Sequence, residues 1–190
     1  MSSVPVLRAT KVGMIISSKA AEGAALPRSR DVLRSPSLLI ATWFGSGLSP
    51  KAPGTAGSLA ALPFIYLLVS CTTTWAVLAA GVLILALGTW ASKQAGMRWG
   101  QVDHGAIVVD EVLGQLIAIG LAFHLINQPS LDWKVISIGF VFFRFFDITK
   151  VWPASYFDRH VKNALGVMLD DVAAGVWAGV CTWMLLSLWP

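Results

Sequence analysis

Six apolar segments, at about 38–44, 56–70, 75–92, 108–126, 135–147 and 172–189, constrain how this chain can fold. Hydrocarbon offers no partner to a backbone N–H or C=O, so segments placed in a bilayer must satisfy these groups internally, as helices. With 56% hydrophobic and 13% charged residues and a mean hydropathy of +0.70, the chain does not fit an ordinary soluble domain. The expected fold is all-α, a polytopic membrane helical bundle with short spans and a cytoplasm-facing polar site. Only the stretches near 82–92 and 172–189 approach, with their flanks, the roughly 20 residues of a full crossing. Residues 38–44 are too few to cross and read as an interfacial or re-entrant segment. The 190 residues suit one membrane-embedded domain, 37–190, preceded by a basic, mobile or interfacial tail at 1–36.

Charge supports this division. The net charge of +4 resides wholly in residues 1–37, where Arg8, Lys11, Lys19, Arg28, Arg30 and Arg34 face only Glu22 and Asp31. The basic stretch lacks interleaved aromatics and precedes an apolar body, so its expected partners are inner-leaflet anionic lipids and not nucleic acid. Its bases are not followed by the apolar core and small-residue cleavage site of a signal peptide, and none is expected to be removed. Cys71 and Cys181 have neither metal-type nor redox-type spacing.

With the N-terminal tail in the cytoplasm, the last five apolar segments alternate across the membrane. The outer connections are then 71–74, without charge, and 127–134, with Lys134 as its base. The inner ones carry Lys51, Lys93, Arg98, Lys150, Arg159 and Lys162, as the positive-inside tendency requires. The same assignment puts the stretches richest in Gly, Pro, Asp and His, at 44–58, 103–111 and 147–171, on the cytoplasmic side.

Those stretches hold the candidate chemistry. Residues 44–58 carry four glycines, two prolines and four hydroxyl residues, a composition that cannot be a regular helix throughout and reads as a loop whose backbone N–H groups, with Ser46, Thr55 and a helix starting near Thr55 or Gly57, could cradle a phosphate. The alternative is a tight turn in which Thr55 caps the next helix. In 103–111, Asp110 and Glu111 stand at the mouth of an apolar run, where an unpaired charge is costly and is normally kept for function. Adjacent carboxylates suit Mg²⁺, although they would also favour a helix N-terminus. Asp170 and Asp171 repeat this pattern at the last apolar segment. Two acidic pairs, each opening a hydrophobic helix, read as a carboxylate constellation for one or two metal ions, with Asp103 as a further ligand.

Arg144, Asp147 and Lys150 are spaced three apart, so on a helix they share a broad face with a carboxylate between two cations, as a site or as a structural ion pair. The cations Lys51, Arg144, Lys150, Arg159 and Lys162 are candidates to neutralise a phosphomonoester. His104 could act as acid, base or ligand, or simply as a hydrogen-bonding loop residue. The Trp152-Pro153 pair breaks the preceding helix, and Trp152, Tyr156 and Phe157 suit the membrane interface.

The stretches FGSGLSPKAPGTAGSLAALPF at 44–64, DHGAIVVDEVLGQ at 103–115 and FRFFDITKVWPASYFDRHVKNALGVMLDDVAAG at 143–175 resemble the phosphatidylglycerophosphatase A family in order and spacing. That resemblance implies a multi-pass bacterial inner-membrane, Mg²⁺-dependent lipid phosphatase that makes phosphatidylglycerol at the cytoplasmic face. The family's acidic positions fall on Asp103, Asp110, Glu111, Asp147, Asp158, Asp170 and Asp171. Two departures, Lys150-Val151-Trp152-Pro153 for Lys-Pro-Trp-Pro and Asn163-Ala164 for Gly-Gly, remove no carboxylate. The expected reaction has metal held by Asp110, Glu111, Asp170 and Asp171 activating water for in-line attack, while Arg or Lys binds the phosphate.

Other phosphatase chemistries lack their residues: neither cysteine begins a Cys-x₅-Arg loop, and there is no Asp-x-Asp nucleophile. The Asp-Gly-x-x-Ala-Arg block of CDP-alcohol phosphotransferases is also missing. A divalent-cation transporter would use the same carboxylates, but usually near the bilayer midplane and with an internal repeat. Phosphatase action on another phosphorylated lipid is the remaining alternative, because nothing in the residues names the headgroup.

Overall fold

The computed structural model describes residues 28–188, and these are helical without strands. The helices are α1 (Ser29–Leu33), α2 (Pro36–Ala41), α3 (Pro53–Cys71), α4 (Thr74–Trp99), α5 (Val109–Ile126), α6 (Trp133–Thr149), α7 (Ala154–His160) and α8 (Ala164–Leu188), with a 3₁₀ turn at Ser46–Leu48. Four of them, α3, α4, α5 and α8, are long and apolar enough to cross a bilayer. The fifth segment expected to cross, 135–147, becomes α6. It has 17 residues and carries Arg144 and Asp147 in its final turns, so charge shortens its apolar length.

The helix ends follow local chemistry. Thr73 caps α4 by accepting from the Ala76 N–H at 3.3 Å, and Asp132 caps α6 through the Lys134 N–H at 3.2 Å. Asn163 accepts from the Gly166 N–H at 2.9 Å and so serves as the cap of α8. Gly100, Asn127 and Lys150 close α4, α5 and α6 in the left-handed conformation, the usual way to turn a chain out of a helix.

Within the stretch 1–36 read as a mobile or interfacial tail, α1 buries Val32 in a cluster with Leu38, Ala41, Ala91 and Leu113; residues 1–27 of that tail lie outside the described residues. In the glycine-rich stretch 44–58 a helix was expected to start near Thr55 or Gly57; α3 starts slightly earlier, at Pro53, because proline at a first helical position costs no hydrogen bond. Thr55 therefore lies inside the first turn and does not cap it.

At the centre, α5 packs on α8, and α6 packs on both, while α3 and α4 cover the remaining sides of α5. Small residues allow the central approach: a Cβ added at Gly175 would lie 3.1 Å from Gly114 Cα, and one at Gly179 would lie 3.1 Å from the Ala118 carbonyl oxygen. In a membrane, where lipid tails are as apolar as leucine, such close backbone contact is a main source of helix association. Outward, Leu67, Val82, Leu83, Val141, Phe145 and Met184 are exposed, as lipid-facing side chains should be.

Gly175→Leu should push α8 off α5 and cost about 1–3 kcal/mol or more. Thermal unfolding in detergent should show a lowered midpoint for this variant and an unchanged one for Val176→Leu, whose side chain is exposed.

Candidate active site

The N-terminal ends of α3, α5 and α8 and the C-terminal end of α6 meet at one end of the bundle, around a cavity of about 250 Å³. Six carboxylates, from Asp103, Asp110, Glu111, Asp147, Asp170 and Asp171, line it together with the two cations Arg144 and Lys150.

Two loops fix the mouth of α5. The Val108 N–H donates to the Ala41 carbonyl at 2.8 Å, and the Ile107 N–H to the His104 carbonyl at 2.7 Å. His104 is buried, accepts from the Ala106 N–H through Nδ1 at 3.1 Å, and packs 4.9 Å from the Trp99 ring. Burial lowers its pKa, against the pull of Asp103, which suits a neutral ring whose Nδ1 is an acceptor. His104 thus shapes the loop and is not a wall of the cavity.

Asp110 occupies the first turn of α5, and its Oδ1 accepts from the Glu111 N–H at 3.1 Å. Asp171 comes from α8, whose approach to α5 puts its carbonyl 2.7 Å from a Cβ built on Gly114. Asp110, Glu111 and Asp171 each offer an oxygen, and these oxygens lie within 4.8 Å of one another. The other acidic residue of the second pair, Asp170, points elsewhere: it accepts from the Lys150 ammonium. The expected four-carboxylate metal set therefore divides into a cluster of three and a carboxylate paired with lysine. Asp103 is exposed at the rim.

Arg144, Asp147 and Lys150 form the ladder that their spacing predicted. Arg144 Nη1 lies 2.7 Å from Asp147 Oδ2 and 4.0 Å from Glu111 Oε1, and Lys150 Nζ lies 3.8 Å from Asp147 Oδ1. Burial alone would lower the Lys150 pKa, but the surrounding Asp171, Asp170 and Asp147 outweigh it and hold the ammonium above its ordinary range.

Five residues expected at the phosphate, Ser46, Lys51, Thr55, Arg159 and Lys162, are not walls of this cavity. The Ser46 hydroxyl donates to the Thr42 and Trp43 carbonyls at 3.2 and 3.0 Å, Thr55 is half-buried on α3, and Lys51 and Arg159 are exposed. Asp158 and Lys162 line a neighbouring cavity. Conversely, Gly54 matters in a way that composition only hinted at: a Cβ there would collide with Glu111 Oε1 and stand 3.2 Å from Arg144 Nη2. Gln115, one turn beyond Glu111, is wholly buried, and neither of its amide atoms has a partner among the described residues.

The family comparison decides what this arrangement belongs to. The phosphatidylglycerophosphatase A family model matches residues 39–186. The chain belongs to that family. Among members named phosphatidylglycerophosphatase A, the protein of Escherichia coli (strain K12) is 40% identical over 87% of this chain and 95% of its own length. That of Haemophilus influenzae is 38% identical over 84% and 97%. A protein of Bacteroides thetaiotaomicron named putative phosphatidylinositol-3-phosphatase is 38% identical over 78% and 94%. No solved structure matches the chain significantly. The phosphatidylglycerophosphatase A match spans α2 to α8 and so includes all eight charged residues of the cavity.

Gly54→Ala should displace Glu111 and Arg144 and lower turnover by on the order of a hundredfold, the scale of an ångström-sized misplacement. Lipid phosphate release should show this with helical content unchanged by circular dichroism.

Proposed function

We propose that this chain hydrolyses the terminal phosphomonoester of phosphatidylglycerophosphate at the cytoplasmic face of a bacterial inner membrane, with Mg²⁺ held by Asp110, Glu111 and Asp171. The observation that carries the reading is the cavity's charge, six carboxylates against two cations. A dianionic phosphate would be repelled from such a site, and a divalent cation among the carboxylates reverses that sign. The donor set fits the ion: all are hard oxygens, and Glu111 Oε2 is buried without a partner among the described residues. When bound, Mg²⁺ supplies Lewis-acid polarisation of the phosphoryl group and acidifies a coordinated water.

The chain's own residues supply the rest. Arg144 and Lys150 present donors to phosphate oxygens, and Asp147 lies between them, holding both in place. Asp170 fixes the Lys150 ammonium. In the reaction, the phosphorus–oxygen bond to the glycerol headgroup breaks, water oxygen bonds to phosphorus, and the lipid hydroxyl leaves with a proton. Preorganised charges around the transferred group are the main catalytic resource of such reactions.

Two features support the location. Around the four helices of sufficient length, the helix ends and connections on the site side carry Lys51, Lys93, Arg98, Lys150, Arg159 and Lys162, against Lys134 on the other. The inner-leaflet lipids expected as partners would then meet the cavity end directly. The names of the two phosphatidylglycerophosphatase relatives support the headgroup.

The test is phosphate release by purified protein from phosphatidylglycerophosphate in vesicles, beside phosphatidic acid and phosphatidylinositol 3-phosphate. The expected result is release from the first, abolished by EDTA and restored by Mg²⁺, with Asp171→Asn reduced by about a hundredfold or more. Full activity of Asp171→Asn, or activity indifferent to EDTA, would overturn the metal assignment. Preference for another of these lipids would overturn the headgroup.

A further inference from the structure

The catalytic cavity is the innermost of three that share walls. Asp103, Val167 and Asp170 also line a cavity of about 290 Å³. Val102 and Lys162 belong both to that one and to a third, of about 590 Å³, between the end of α4 and the start of α8. The third is reached where the two helices part. They touch at Gly88, where an added Cβ would lie 2.7 Å from Met168 Cε, and the cavity lies on the site side of that contact.

The outer cavity differs in charge from the inner one. Its charged walls are Lys93 and Lys162, without a carboxylate, and the rest includes Thr89, Met97 and Leu165. Met97, Leu165 and Val102 are exposed large apolar side chains beside these ammonium groups. Lys93 follows the apolar run 75–92 of α4, so it sits at the level where lipid headgroups begin. An apolar rim with two lysines at headgroup depth is complementary to an anionic lipid, and the shared walls lead from it to the carboxylates.

We propose that the α4–α8 seam is a lateral doorway through which an anionic phosphorylated lipid passes from the inner leaflet to the catalytic cavity, its phosphate met first by Lys93 and Lys162. The lipid slides headgroup first while its acyl chains stay in the bilayer, beside Met97 and Leu165. The cations draw the phosphate in, and the path then turns at Val102 and Lys162 toward Asp103 and Asp170. This rests on the lipid phosphatase reading but specifies something that reading leaves open, namely the side of the bundle that the substrate uses.

The test uses the full chain in phosphatidylcholine vesicles containing phosphatidylglycerophosphate. For Lys93→Gln/Lys162→Gln, KM should rise roughly tenfold, with kcat within about twofold, as expected for lost binding without lost transition-state contact. Independently, a photo-crosslinking residue replacing Leu165 in the Asp171→Asn background should capture phosphatidylglycerophosphate several-fold above its share of the vesicle lipid. The same residue replacing Leu59, an exposed position on α3, should capture lipids in proportion to the mixture. The Lys93→Gln/Lys162→Gln change should abolish the enrichment at position 165. An unchanged KM, or capture at position 165 in the bulk ratio, would overturn the doorway. Absence of phosphate release by the wild-type chain would instead overturn the phosphatase reading, and the capture ratio would still report on the seam.

Discussion

The close approach of α5 and α8 is the contact on which the site depends. Asp110 and Glu111 belong to the first turn of one helix and Asp171 to the second turn of the other, 60 residues further along the chain. Their oxygens converge only because Gly114 and Gly175 let the two backbones meet without intervening side chains. A pair of ordinary apolar helices, packed 8–10 Å apart through leucine-sized side chains, would hold these carboxylates further apart. Packing and chemistry are therefore the same fact here. The glycines that stabilise the bundle also set the spacing of the acidic cluster.

That convergence carries an electrostatic cost, which the third inner helix reduces. Grouping carboxylates in a partly buried space opposes their ionisation, and the neutralising charge comes from α6. Arg144 reaches toward Glu111 and Asp147, and Lys150 reaches toward Asp147 and Asp170. Lys150 can do so because it leaves the helix in the left-handed conformation, which swings its side chain toward α8. The two cations reach three of the six acidic residues, so carboxylates outnumber cations in the cavity, and the proposed Mg²⁺ would offset that excess.

Much of this was legible before any coordinates. Hydropathy alone indicated a helical membrane bundle, and the Lys/Arg pattern put the three polar stretches at one end, where some residues of each line the cavity. The spacing of Arg144, Asp147 and Lys150 gave their ladder, since i, i+3 neighbours lie on one helix face. What periodicity could not give was contact between distant segments. Asp170 and Asp171 are adjacent in sequence, yet successive helical residues point about 100° apart, so one faces Lys150 and the other faces Asp110. They look like a pair and behave as two separate groups. Likewise α8 begins at Ala164, because Asn163 caps it, and the second acidic pair lies inside the helix instead of opening it. Ser46, Lys51 and Arg159 were plausible phosphate ligands by type and by loop, but loop membership does not determine direction. The role of Gly54 was hidden for the opposite reason: its contribution is the absence of a side chain, and only the position of Glu111 reveals it.

A phosphatase of this kind faces a problem that a soluble one does not, because its substrate has a charged end and an end that cannot leave the bilayer. The reactive phosphate must reach a cavity whose own carboxylates repel it, starting from the headgroup layer. The distribution of charge along the connected cavities answers this in physical terms. The outer cavity has Lys93 and Lys162 and no acidic wall, Lys162 also lines the middle cavity beside Asp103, Asp158 and Asp170, and the acidic cluster lies beyond it, where a bound divalent ion would screen it. Reversing that order would place repulsion at the entrance and strip the attraction of its reach, since exposed charges act over only about a Debye length, ~8 Å in physiological salt. On the proposed reading, the separation of Lys93 and Lys162 from Arg144 and Lys150 divides the work, with the outer pair serving capture and the inner pair serving the transferred phosphoryl group.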